Sequence, residues 1–479
     1  MSSRKKGHDQ KLGQHTVEKI GGTSMTKFGD VMRNIIVGKR KGADLYNRIF
    51  VVSAYGGITD LLLENKKTNA PGVYGKFAAG DKGWQEALTV VRDRMLALNA
   101  TFREIGLDLM AADAFVHERI EGIRACLSDL IRLRSFGHFK PADYLPASRE
   151  FLSAVGEAHS AYNGALILKA NDINARFVDL TGWKEAETLL FNDMIRAAFK
   201  GIDFSREMPI ATGYTKCDEG IMGTFDRGYS EITFSKIAVI TLAREGVIHK
   251  EFHLSTGDPK LIGVDKVKII GQTNFDIADQ LADMGMEAIH PRASKEMEVN
   301  NIAIRVKNTF EPDHPGTLIS HEFVSPHPRV DMICGRKDIL GIEVFDSEMV
   351  GQAGYDFHLL KHFYDHGISY ITKNTNANTI THYVAEKTPR VADCVASLNQ
   401  AFPGAKVVTR KVAIVSVIGS NMKFPGFLAR AAQALADAGI NILALDQCMR
   451  QVNMEFIVDR DQFDGAQIAL HRRLVEEAE

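Results

Sequence analysis

The run Val17-Glu18-Lys19-Ile20-Gly21-Gly22-Thr23-Ser24 constrains the fold of this chain most. A short apolar strand ends in a lysine, two glycines and two hydroxyls. Thr26 to Arg40 then reads as an amphipathic helix, because Phe28, Val31, Met32, Ile35 and Ile36 recur at the helical period. A strand–glycine–helix junction leaves backbone N–H groups unpaired at the positive end of a helix dipole, a geometry that suits an anion and phosphate above all. Lys19 adds a point charge where a transferring phosphoryl group would need one. A plain tight turn would read the same way if this segment stood alone.

Other phosphate-binding devices are excluded. Gly38-Lys39 precedes Arg40 and Gly75-Lys76 precedes Phe77, so the P-loop pattern is absent. No two glycines sit two residues apart, which rules out the dinucleotide fingerprint and the protein-kinase glycine loop. A net charge of -2 argues against nucleic acid or a membrane surface as partner, and no segment reaches transmembrane length. Residues 1–15 read as a disordered polar tail rather than a secretory signal. Cys126, Cys217, Cys334, Cys394 and Cys448 are scattered without a CxxC pair, the pattern of reduced cytoplasmic thiols.

Strand-like runs at Arg48–Val52, Ala175–Leu180, Met208–Ala211, Val247–His253 and Ile302–Lys307 alternate with helical ones, including Ser230–Glu245 and Phe275–Met284. The alternation implies a mainly parallel sheet covered on both faces, an α/β fold. Between residues 64 and 150 the strands give way to a charged helical excursion. Pro312, Pro315, Pro326 and Pro328 then mark a boundary near residue 325, which closes a first domain over 16–325.

The rest of the chain repeats itself. Ser347-Glu348-Met349 leads to Gly354, and Ser420-Asn421-Met422 leads to Gly426; a second glycine follows thirteen residues later in each copy (354 to 367, 426 to 439). A helix lies between the glycines, with Phe357, Leu359, Leu360 and Phe363 in the first copy and Leu428, Ala432 and Leu435 in the second. Strands flank each helix, at Gly341–Phe345 and Ser369–Ile371, then at Val412–Ile418 and Ile440–Leu445. A further strand follows in each (Thr379–Val384; Met454–Val458), and then a final helix. The element order is βαββαβ twice, the ferredoxin-like plan, over 326–404 and 405–479.

With these motifs in place, the chain resembles the aspartokinases. Lys19-Ile20-Gly21-Gly22-Thr23-Ser24 is similar to their opening signature, with Ile20 where Phe is usual. Val51-Val52-Ser53-Ala54 with Gly57-Ile58-Thr59, Ser153 with Gly156-Glu157, and Thr224 with Arg227-Gly228-Tyr229-Ser230-Glu231 follow in the same order. Asp258-Pro259-Lys260, Ile289-His290-Pro291 and Pro315-Gly316-Thr317 complete the series, and the repeat resembles the tandem ACT pair of those enzymes. The wording of Lys19–Met25 and Arg227–Glu231 is most similar to the branch encoded with ectoine biosynthesis.

The resemblance implies an amino-acid kinase-like three-layer αβα sandwich followed by two ACT units. It also implies transfer of the ATP γ-phosphoryl group to the side-chain carboxylate of L-aspartate. Lys19, Gly21, Gly22, Ser24, Asp258 and Lys260 would bind ATP and its phosphates, with Lys19 and Glu231 catalytic. Ser53, Thr59, Glu157 and Arg227 would hold aspartate, Arg227 at the α-carboxylate and Glu157 at the α-ammonium. Mg²⁺ would accompany ATP, with no protein side chain singled out as its ligand. Ser347, Met349, Gly354, Asn421 and Met422 would line an amino-acid effector pocket, and sheet-edge pairing would make a homodimer. Four differences from the family wording stand out. Asp226 stands where glycine is usual, Glu231 extends the usual acidic side chain by a methylene, Tyr229 adds bulk, and Glu287 stands where a lysine is common. Those differences leave room for a catalytically weak ACT-type sensor, and another acyl-phosphate-forming amino-acid kinase is the remaining alternative.

The chemistry fits such a reaction. The aspartate β-carboxylate is ionised at neutral pH without a base. The difficulty is bringing an anion against a polyanion, so catalysis reduces to positioning and charge neutralisation.

Overall fold

The computed structural model describes residues 12–185, 187–225, 228–286 and 289–477. Of these, the residues from 12 to 253 together with 289–321 form one compact unit, and those from 254 to 286 with 322–477 form a second.

In the first unit, strands β1 (Thr16–Ile20), β2 (Arg48–Val52), β3 (Ala175–Val178), β4 (Met208–Thr212), β5 (Glu245–Lys250), β6 (Ala303–Asn308) and β7 (Thr317–Ser320) lie in the order β3-β4-β2-β1-β5-β6-β7. All pairings are parallel except the last, where β7 runs antiparallel to β6. β1 is central: Lys19 sits opposite Val51 of β2 and Ile248 of β5. Every residue of β2 and β4 is buried, as strands covered on both faces require. The strands therefore match the sequence reading in place and type, with ends shifted by a few residues.

The helical segment after β1 differs from its expected form. Helix α1 begins at Gly22 and ends at Thr26; a turn over Phe28–Val31 and a wide π turn over Met32–Val37 follow, closing at Gly38 with φ +54°. The widening has a cause. Arg48 reaches in from β2 and donates to the carbonyls of Ile35 (2.9 Å) and Ile36 (2.7 Å), drawing them out of the regular ladder. The apolar face survives, since Phe28, Val31, Ile35 and Ile36 are all buried.

The excursion between β2 and β3 is helical as read: α2 (Ile58–Leu62), α3 (Val73–Ala78), α4 (Trp84–Thr101), α5 (Leu109–Arg134) and α6 (Pro141–Ala170). Helix α6 runs well past residue 150, and most of its second half is buried. A buried polar cluster ties it to α4, with Asn99 Oδ1 meeting His159 Nε2 and Asn163 Nδ2 at 2.7 Å each. Four more helices complete the unit: α7 (Phe191–Phe199), α8 (Ile221–Phe225), α9 (Tyr229–Ile240) and α10 (Pro291–Val299). Of the expected tail, residues 12–15 are described: the Gly13 N–H donates to the Leu242 carbonyl, and His15 is buried.

The second unit holds strands β8 (Arg329–Phe345), β9 (Thr372–Thr375), β10 (Thr379–Ala385), β11 (Lys406–Ser420), β12 (Ala444–Asp446) and β13 (Asn453–Asp459). They form one antiparallel sheet in the order β9-β10-β8-β11-β13-β12. Helices α11 (Tyr355–Asp365), α12 (Val391–Ala401), α13 (Phe427–Asp437) and α14 (Phe463–His471) cover it. The repeat is exact in backbone terms. Gly354 (φ +80°) and Gly426 (φ +87°) each open an eleven-residue helix, and Gly367 (φ +67°) and Gly439 (φ +70°) each follow one. All four sit in left-handed conformation, which explains the equal spacing.

The copies are not simply end to end. The second half of β8 pairs with β10 and with the first half of β11, completing the first ferredoxin-like unit. The first half of β8 (Arg329 to Arg336) pairs with the second half of β11 (Ile414 to Ser420). Val330 and Ile333 accordingly share a core with Val415, Val417, Phe456 and Leu470, whereas Ile342 and Val344 pack with Leu359, Phe363 and Leu398. The second unit thus takes its last strand from residues that precede the first one.

Candidate active site

The C-terminal ends of parallel strands in an α/β sheet open onto a crevice where ligands bind. Lys19 stands near that end of β1, one side chain before the turn into α1. Gly22 is fixed there by contact: a Cβ at this position would lie 2.3 Å from the Ala54 carbonyl oxygen, so only glycine lets α1 approach the segment after β2. Gly21 caps α1 in extended conformation, and a side chain there would meet open space.

Lys19 Nζ donates to Glu231 Oε1 at 3.1 Å, and both side chains are mostly buried. Glu231 lies in the first turn of α9, and its second oxygen accepts the His290 N–H at 2.5 Å. Burial pushes the Glu231 carboxyl up, yet Lys19, Lys250 and these hydrogen bonds hold it below its ordinary value. The extra methylene of Glu231 therefore spans between Lys19 and the start of α10. Tyr229 turns into the core instead, with its ring edge-on to Tyr214 at 5.8 Å.

Beside this pair runs a second chain of polar groups. Ser53 Oγ lies 3.4 Å from Ser230 Oγ, and Ser230 donates to Glu157 Oε1 at 2.8 Å. Glu157 is fully buried in α6, and burial raises its pKa to about 8 against the opposing pull of Ser230, Lys19 and the Tyr214 and Ala54 backbone. The Ser160 hydroxyl donates to the Ser53 carbonyl at 2.9 Å, fixing α6 against the end of β2. One face of the resulting corner is cationic and the other is a carboxyl group kept neutral by its surroundings. Such a corner can take an anion at Lys19 and an ammonium at Glu157.

The structure brings Lys19, Gly21, Gly22, Ser53, Glu157 and Glu231 together in this one unit. Thr59 lies half-buried in the first turn of α2, opened by Gly57 in left-handed conformation. Ser24 is buried, and its hydroxyl donates to Glu251 Oε1 at 2.9 Å. Arg227, together with Asp226 and Glu287, lies outside the described residues. Asp258 and Lys260 belong to the second unit, where Asp258 Oδ1 caps the short helix Pro259–Ile262 by accepting the Lys260 N–H at 2.9 Å.

Among the effector candidates, the turn Ser347–Met349 is capped by Asp346, with Met349 buried in the first core. Met422 is buried in the second core. Asn421, in left-handed conformation, donates to the Ser325 carbonyl at 3.2 Å.

Two groups escaped the sequence reading. Ser230 was seen only as part of a motif, although it links Ser53 to Glu157. Glu150 was not singled out: its Oε1 accepts the N–H groups of Met222 (2.7 Å) and Gly223 (3.2 Å), and its Oε2 accepts the Tyr214 hydroxyl (2.8 Å). It stands seven residues before Glu157 on the same face of α6, a spacing that gives the only sequence signal.

This sheet and this corner define a class. Residues 14–308 match the profile of the Amino acid kinase family, more than half of the chain, and the protein belongs to that family. Residues 415–474 match an ACT domain. Within the family the chain falls among the aspartokinases: it is 51% identical over 464 residues to Aspartate kinase Ask_Ect of Stutzerimonas stutzeri, covering 96% of this chain and 98% of that protein. It is also 24% identical to chloroplastic Aspartokinase 1 of Arabidopsis thaliana over 96% of this chain and 81% of the relative. Solved structures share the fold. E. coli aspartokinase III, in complex with aspartate and ADP, superposes with a TM-score of 0.72 at 19% identity, covering 96% of this chain and all of that one. Clostridium acetobutylicum aspartate kinase gives 0.73 at 18% identity with the same coverage. No helix among the described residues is long and apolar enough to cross a membrane.

Proposed function

We propose that this chain is an aspartate kinase that converts ATP and L-aspartate to ADP and 4-phospho-L-aspartate. The observation that carries the reading is the pairing of Lys19–Glu231 with the buried Ser53–Ser230–Glu157 chain at the end of the central strands. It stands in a chain half identical to a relative named as an aspartate kinase. Glu157 takes the α-ammonium and, on becoming ionised, pairs with it. Arg227 takes the α-carboxylate, which leaves the β-carboxylate facing Lys19. A β-carboxylate oxygen attacks the γ-phosphorus, the bond to the β–γ bridging oxygen breaks, and ADP departs with the electron pair. Lys19 and the Gly21–Gly22 amides offset the charge gathered on the transferring group.

Mg²⁺ accompanies ATP in this reading. No protein side chain is assigned to it, and the nucleotide phosphates would carry it. The ACT units bind an amino-acid effector and pair in a homodimer, and the likeness to Ask_Ect supports a place in the ectoine branch.

A coupled assay of ADP release with aspartate, glutamate and N-acetylglutamate tests the reaction. Aspartate is expected to be the preferred acceptor. Preferential turnover of either alternative, or ATP binding with no aspartate-dependent ADP release, would overturn the assignment. Inhibition curves with lysine, threonine and ectoine test the regulatory part, and flat responses to all three would leave the ACT units structural.

A further inference from the structure

The sheet of a doubly covered α/β unit is expected to be apolar on both faces. Along β1, β2, β5 and β6, one face is instead charged, from Arg48 and Glu245 at the start of their strands to His249 and Lys307 near the end of theirs. Glu18 accepts Arg48 Nε at 2.6 Å and meets His249 Nε2 at 2.8 Å, while Arg305 forks onto Glu245 with both contacts at 2.9 Å. Two adjoining cavities open over this stripe, on the face of β1 that carries Thr16 and Glu18, and neither is lined by Lys19, Gly21 or Gly22. The inner one, of about 290 Å³, is lined by Arg40, Arg48, His249 and Lys307 among others. The outer one, of about 900 Å³, adds Gln14, Arg33 and Lys39; both share Arg40, Asp44 and Arg244.

The charges around these cavities do not cancel. Arg48 is matched by Glu18, Arg305 by Glu245, Lys39 by Asp313 and Arg33 by Asp30. Among the described residues, Arg40, Arg244 and Lys307 meet no carboxylate at ion-pair distance; Arg40 donates to the Ile35 carbonyl and Lys307 to the Pro312 carbonyl. Asp44 is the one lining carboxylate left over. Three cations against one anion leave two positive charges uncompensated in a partly desolvated space. Burial holds Arg40 and Lys307 below their ordinary values; neighbouring positive groups, Arg48 for both, add to this against the opposing pull of Glu18 on both and of Asp44 on Arg40. Holding like charges together in this way is costly unless a ligand neutralises them.

We infer that this cleft binds a compact anion carrying two or more negative charges, of the phosphate or polycarboxylate class, at a site separate from the reaction corner. Arg40 and Arg244 present planar forks suited to such oxyanions, and Lys307 adds a point charge at the inner wall.

Calorimetric titration of the full chain tests the site, with inorganic diphosphate and citrate at matched ionic strength as probes. The Lys19→Ala background removes the phosphate-directed charge of the reaction corner. In that background at least one probe is expected to bind, and Arg40→Gln/Arg244→Gln is expected to weaken it tenfold or more. The same double substitution in the otherwise native chain should leave the KM for ATP unchanged. Arg244→Gln alone, at an exposed side chain without a bonded partner among the described residues, guards against loss of folding and should weaken binding in the same direction. Diphosphate binding without citrate binding identifies the phosphate class, and the reverse identifies a polycarboxylate. No binding of either probe, or binding that both Arg variants leave untouched, overturns the inference.

Discussion

Glu157 carries the sharpest consequence at the scale of a single residue. With a pKa of about 8 it is mostly protonated at pH 7 in the ligand-free protein. An α-ammonium docking beside it favours the ionised form, so aspartate binding should release close to one proton at pH 7. Calorimetry in Hepes and Tris, whose ionisation enthalpies differ, reads this number directly; Glu157→Gln should reduce it to near zero and weaken aspartate binding. Below pH 8 the proton competes with the ammonium, so apparent aspartate affinity should fall, by at most about tenfold per pH unit. Stability runs the opposite way. The folded pKa lies above the model-compound value of 4.5, so the ligand-free protein loses stability as pH rises from there toward 8. Glu157→Gln should flatten that slope in thermal melts.

Lys19 belongs to the same scale. It is bonded to a buried carboxylate, and in the proposed reaction it offsets charge on the transferring phosphoryl group, so Lys19→Ala should lower kcat by roughly 10²–10³, the usual effect of removing one transition-state donor. Lys19→Arg tests geometry against charge. A planar fork in place of a compact ammonium should leave turnover well below wild type even though the charge remains.

At the scale of elements, Glu150 holds the start of α8 to α6 through two backbone N–H groups and the Tyr214 hydroxyl. Glu150→Ala strands these donors, which should cost about 2–3 kcal/mol in thermal or denaturant unfolding. Because α8 stands in sequence just before Arg227, the proposed α-carboxylate partner, the KM for aspartate should rise more than the KM for ATP. A purely structural role would move both alike. The paired helices α11 and α13 allow a matched test. Gly354→Ala and Gly426→Ala each force an L-residue into left-handed conformation, and each should cost about 1–2 kcal/mol without touching the corner at Lys19.

These elements also show what a sequence discloses. The strands of the first unit, the excursion and the glycine-framed helices were legible because period and turn chemistry are local properties, whereas the strand expected at Ser369–Ile371 lies instead at Thr372–Thr375. The wide π turn over Met32–Val37 was not, since it depends on Arg48 arriving from another strand to claim two carbonyls. In the corner, Lys19, Glu157 and Ser53 were legible from motif order. Ser230 as a link and Glu150 as an anchor were hidden, because their roles exist only once α6 and α9 lie side by side. The charged stripe of Glu18, Arg48, His249 and Lys307 looked like isolated polar residues within apolar strands, and only pairing across four strands makes it one feature.

For the whole molecule, the order of β8 and β11 decides what can be cut apart. A fragment of residues 405–479 lacks the strand that brings Val330 and Ile333 into its core, so it should remain unfolded by circular dichroism. A fragment of 322–479 retains that strand and should show native-like strand content.

The same threading imposes a timetable on synthesis. As the chain leaves the ribosome, Arg329 to Arg336 emerge long before Ile414 to Ser420, the neighbours they need. The intervening segment can close on itself first, leaving that half-strand an open seam with bare donors and acceptors. Only the later emergence of Ile414 to Ser420 supplies the matching edge, so a chain released before that point would display an unsealed margin for quality control to recognise.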